Sequence, residues 1–93
     1  MASKKNIKKD INYLTYEVVS DCYTFMYLHS DKSKGKAEKI IEDIIKTREE
    51  LIARVNKIEV KDKKEIKQHF NKIYEDILNK TDESFTELSK LTK

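Results

Sequence analysis

The side chains that could do chemistry are few, and their spacing keeps them apart. His29 and His69 are the two imidazoles of this 93-residue chain, and Cys22 is its one thiol. Glu65 and His69 are four residues apart, a helical spacing that can share a metal ion. The chain lacks the repeated Glu-x-x-His units of di-iron bundles, so an ordinary exposed pair is the expectation. Glu17 and Asp21 are also four apart and could form an acid/base couple in a cleft; a solvated role, or pairing with a nearby arginine, is the simpler one. Cys22 falls inside an apolar series and is read as a small buried hydrophobe with no histidine near enough to activate it. The chain has one glycine, Gly35, and no proline. Phosphate loops, dinucleotide fingerprints and nucleophile elbows each need several glycines. The expectation is therefore a non-catalytic protein with no metal and no cofactor.

The elements that position these residues follow from the apolar period. Ile7, Ile11, Leu14, Val18, Cys22, Phe25 and Leu28 recur at steps of three and four, which marks one face of a helix. The segment Asp31-Lys32-Ser33-Lys34-Gly35 reads as a turn, with Ser33 as a candidate N-cap. A second stripe runs through Ala37, Ile41, Ile44, Leu51, Val55 and Ile58, widened by Ile40, Ile45 and Ile52, and ends near Glu59-Val60-Lys61. Asp62 and Glu65 have the spacing of a capping box. The third stripe is Ile66, Phe70, Ile73, Ile77, Thr81, Ser84 or Phe85, Leu88 and Leu91. It weakens at the polar stretch Asn79–Ser84 without losing phase, so one long helix is favoured and a break there, giving four helices, is the alternative. Short links between long helices make an all-α, antiparallel up-down-up three-helix bundle in a single domain spanning residues 1–93. At about 1.5 Å per residue each helix is roughly 30–45 Å long.

The first helix carries more apolar surface than a bundle needs. Placed at about 100° per residue, Tyr13, Tyr16, Tyr23 and Tyr27 lie opposite the core stripe, with Val19 and Met26 between. Four of the five tyrosines of the chain are here, where water should be. A tyrosine can sit singly on a surface with its hydroxyl wet. A contiguous run of them reads as a protein interface, and Tyr13, Tyr16, Val19, Tyr23 and Tyr27 are its candidate residues. A second copy of the chain across a two-fold axis is the simplest partner.

Arg48 interrupts the apolar face of the second helix between Ile44 and Leu51. A turn near Lys32-Ser33 puts it level with Glu17, one helical turn from Asp21, and a second turn near Val60 brings Tyr74 to the same level. Arg48 either snorkels, pairs with Glu17 or Asp21 to fix helix register, or lines a pocket for an anion.

The net charge is +3, and eighteen of the twenty basic residues are lysine. A/T-rich codon bias alone could account for that. In the up-down-up arrangement one end gathers Lys4, Lys5, Lys8, Lys9, Lys57, Lys61, Lys63, Lys64 and Lys67 against Asp10, Glu59, Asp62 and Glu65. Of these, Lys4, Lys5, Lys8, Lys9, Lys61, Lys63 and Lys64 are the candidate contacts for a polyanion such as nucleic acid. The end is poor in arginine and stacking aromatics, so a solvated end ranks ahead of that reading. There is no apolar run of membrane-spanning length and no signal-peptide core, and one cysteine makes no internal disulfide. Together these place the chain in the cytoplasm as an expectation.

The stretch Lys8-Lys9-Asp10-Ile11-Asn12-Tyr13, continued by Ser20-Asp21-Cys22-Tyr23, resembles the start of a group of short uncharacterised bacterial proteins. The resemblance covers about the first quarter of the chain. It implies a small cytoplasmic all-helical protein and carries no activity, ligand or site.

Overall fold

The computed structural model describes residues 4–29, 34–58 and 62–91. Three helices fill nearly all of that: α1 (Lys4–Leu28), α2 (Lys34–Asn56) and α3 (Lys63–Leu91). Each packs on both others, in a rod 51 Å long and 17 Å across. This is the three-helix bundle that the apolar period predicts. The third helix is continuous through Asn79–Ser84, so the four-helix alternative is not what forms. Thr81 and Ser84 keep the stripe in phase there, both buried, and no glycine or proline interrupts the backbone hydrogen bonds.

The core follows heptad spacing on every helix. It comprises Ile7, Ile11, Val18, Cys22 and Phe25 of α1, Ala37, Ile40, Ile41, Ile44, Leu51 and Val55 of α2, and Phe70, Ile73, Ile77 and Leu88 of α3. Spacing of three and four residues keeps one seam facing its neighbours and gives the shallow crossing of coiled-coil-like packing.

Several positions depart from the sequence reading. Leu28, the last residue of α1, is 68% exposed on the rim of an open groove that it shares with Phe85 and Leu88 of α3. Leu14 is half-buried, and Thr15 takes its place in the seam. On α3 the seam position belongs to Ser84, while Phe85 flanks it and faces α1 near Phe25 and Leu28. Ile45 is exposed.

Gly35 is not a turn residue. It is the second residue of α2, it has no positive φ, and a Cβ built on it meets nothing within 4 Å. The expected N-cap Ser33 lies outside the described residues, as does Lys61. Asp62 caps α3: its Oδ1 accepts a hydrogen bond from the Lys64 amide at 3.0 Å, and its carbonyl accepts one from the Ile66 amide.

Candidate functional site

The tyrosines lie where the helical wheel puts them. Tyr13, Tyr16, Tyr23 and Tyr27 are 63%, 70%, 59% and 89% exposed, along one side of α1 that no other helix covers. Val19 and Met26 form a half-buried shoulder packed against the core. Ser20 is half-buried at the middle of the stripe. The Glu17 carboxylate one turn on holds the Tyr13 hydroxyl proton above the usual tyrosine range.

The tyrosine positions are nearly symmetric about Ser20. Tyr13 and Tyr27 are each seven residues from it; Tyr23 is three away and Tyr16 four. An antiparallel copy of α1 laid on this face sets Tyr13 against Tyr27 and Tyr16 against Tyr23, with the small Ser20 at the axis.

Arg48 has a different partner from the one its level suggested. Its Nε donates to Asn12 Oδ1 at 2.5 Å, and among the described residues it pairs with neither Glu17 nor Asp21. The hydrogen bond lies five residues nearer the start of α1 than Glu17, about 7 Å along the axis. The long arginine side chain spans that distance along the half-buried edge between the helices. Tyr74 also bonds lower than the level read from sequence, donating its hydroxyl to Asp10 Oδ2 at 2.5 Å. Partial burial, and then that bond, push the Tyr74 proton up to about 12. Arg54 Nη1 meets Asp76 Oδ2 at 2.6 Å and Lys72 Nζ meets Asp76 Oδ1 at 3.4 Å; the arginine first, then the lysine, hold the Asp76 carboxyl below the usual carboxylate range. Among the described residues a polar pair thus joins each pair of helices: Asn12–Arg48, Asp10–Tyr74 and Arg54–Asp76.

The sequence reading missed one of two buried hydroxyls in the core. Thr15 of α1 and Thr81 of α3 are only 5% and 6% exposed, and neither hydroxyl has a hydrogen-bond partner among the described residues. The signal was in the sequence, as a threonine at a seam position in the first stripe as in the third.

The chemistry-bearing residues stay apart. His29 closes α1 and stacks on Phe25, ring centroids 4.5 Å apart. His69 lies at the other end of the rod beside Lys57 and Ile58, roughly 30 Å away along the axis. Cys22 is buried, and burial pushes its thiol up to about 11, which leaves it unreactive near neutral pH. An open cleft of about 390 Å³ at the far end of α1 and α3 is lined by Phe25, Leu28, Phe85 and Leu88 with Asp21 and His29 at its edge. It is a surface groove rather than an enclosed site.

No family model, no curated protein and no solved structure matches the chain. Among the described residues no helix is long and apolar enough to cross a membrane.

Lys4, Lys5, Lys8 and Lys9 open α1 and Lys63 and Lys64 open α3, and the antiparallel order brings both starts to the end of the rod where α2 finishes. All are exposed except the half-buried Lys8.

Proposed function

We propose that this protein is a non-catalytic interaction module whose tyrosine face on α1 pairs with a second copy of the chain. The observation that carries the reading is the run of four exposed tyrosines on the side of α1 facing away from the bundle. At roughly 200 Å² per tyrosine, the exposed parts offer about 550 Å² from each copy. Two copies then bury about 1,100 Å² from tyrosines alone, above the roughly 1,000 Å² that a specific interface needs. The near-symmetry about Ser20 suits an isologous two-fold contact, where each tyrosine of one copy meets a tyrosine of the other. Tyrosine suits such a face because it brings large area at little rotamer entropy and keeps its hydroxyl at the wet rim.

The test is the effect of charge placed on that face. Tyr16→Glu/Tyr23→Glu leaves the core untouched, so helicity is retained while association is lost by at least tenfold. A variant that associates as the wild type does contradicts this surface. Equal disruption by glutamates on the exposed side of α3, at Leu78 and Asn71, contradicts it as well.

A further inference from the structure

We propose that the lysine-rich end of the rod is a second, separate site that grips the phosphates of duplex nucleic acid without reading its sequence. Eight described lysines gather there, Lys4, Lys5, Lys8, Lys9, Lys57, Lys63, Lys64 and Lys67, with three carboxylates, Asp10, Asp62 and Glu65. Eight less three is a local charge of +5, in a chain whose total is +3. Among the described residues none of the eight lysines makes an ion pair.

The placement also runs against helix stability. A helix start carries positive partial charge, so acidic residues belong there and cations are unfavourable. The first turn of α1 holds Lys4 and Lys5 and no acid, whereas Lys63-Lys64 at the start of α3 are flanked by the Asp62 cap and Glu65. A phosphate brought to this end meets the lysines and the start of α1 together, so the charge that weakens the free helix becomes attraction in the complex.

The surroundings select among polyanions. Single-stranded nucleic acid is held by aromatic side chains that stack on its bases. Here Phe70 is buried, the nearest exposed tyrosine, Tyr13, lies more than two turns in, and His69 is a lone exposed ring among the described residues at this end, with no second ring to form a stacking platform. A membrane surface is held by an exposed apolar face, yet Ile7, Ile11 and Phe70 are buried and Ile58 and Ile66 half-buried. Base readout in a groove wants arginine, and Arg54, the nearest, is taken by Asp76. Lysines alone on a 17 Å wide end fit a duplex backbone, which offers one charge per about 1.7 Å of axis.

Fluorescence anisotropy with a labelled duplex of mixed sequence tests the site. About four phosphate contacts give a log–log salt slope near −3.6, a roughly hundredfold loss of affinity between about 50 and 200 mM salt. Lys4→Glu/Lys5→Glu/Lys63→Glu/Lys64→Glu loses binding at low salt, and its melting temperature does not fall, because acids at helix starts are stabilising. The corresponding glutamine variant, which only neutralises, weakens binding at least tenfold and guards against any folding defect. Four glutamates at the opposite end, at Lys34, Lys36, Lys39 and Lys90, change net charge equally and leave most of the binding. No binding at low salt overturns the proposal. So does equal loss from both four-glutamate variants, or tighter binding to a single strand or to phosphatidylserine vesicles than to the duplex.

Discussion

Thr15 on α1 and Thr81 on α3 are both seam hydroxyls, each almost wholly buried, and neither finds a partner among the described residues. A buried hydroxyl without a hydrogen bond costs about 1–3 kcal/mol, whereas a methyl of the same shape does not. Thr15→Val and Thr81→Val are each expected to raise stability by about 1 kcal/mol, read as a higher denaturant midpoint with unchanged slope. A loss of stability on either change contradicts this account of the two hydroxyls.

Arg48 is half-buried, and its bond is to the neutral Asn12 rather than to a carboxylate. No buried charge is left unpaired when it is removed. Arg48→Met trades one hydrogen bond for apolar packing in the seam, so stability stays within about 1 kcal/mol of the wild type. A loss of about 3 kcal/mol or more would mean that a buried ion pair had been broken.

The two helix starts respond oppositely to alanine. Gly35 lies inside α2 with open space around it, so Gly35→Ala removes unfolded-state freedom and gains about 0.5–1 kcal/mol. Asp62→Ala removes the cap on the Lys64 amide and loses about 1 kcal/mol. Thermal melts of the two variants shift in opposite directions.

Tyr74 sets an alkaline limit. Its proton is held up to about 12 in the folded bundle, against an ordinary value near 10 in the unfolded chain. A raised folded value means a contribution that is full below pH 10 and is lost as pH rises toward 12. Stability falls across that window, and Tyr74→Phe flattens the fall. Asp76 acts at the other limit: its lowered value makes its contribution present above about pH 4 and lost at lower pH. Arg54→Met removes most of that acid dependence. Denaturant midpoints across both windows check the two signs.

Much of the fold was legible because the period of three and four residues survives even where residue chemistry changes. Ser84 and Thr81 hold the phase of α3 across a polar stretch, and the capping signal at Asp62 lies where the helix starts. Partners were less legible than levels. Counting from the turns put Arg48 beside Glu17, but a flexible side chain reaches along the axis, and Asn12 lies within that reach. Gly35 looked like a turn because glycine usually marks one, yet nothing in its surroundings requires it. The tyrosine face was legible from angle alone, since it depends only on the helical wheel.

The near-symmetry of the tyrosines about Ser20 gives a geometric prediction. In an antiparallel pair the two Ser20 positions meet at the axis, so Ser20→Cys forms an intermolecular disulfide under mild oxidation. The native Cys22, buried with its thiol pushed up to about 11, does not compete. A cysteine at Thr86, on the exposed side of α3, serves as the reference, and cross-linking no faster at position 20 than there contradicts the antiparallel register.

The most direct measurement is the solution mass of the unmodified chain by sedimentation equilibrium across a range of concentrations. The tyrosine-face account predicts a reversible shift from the 11.0 kDa monomer to twice that mass as concentration rises. A single 11.0 kDa species at every concentration would contradict it.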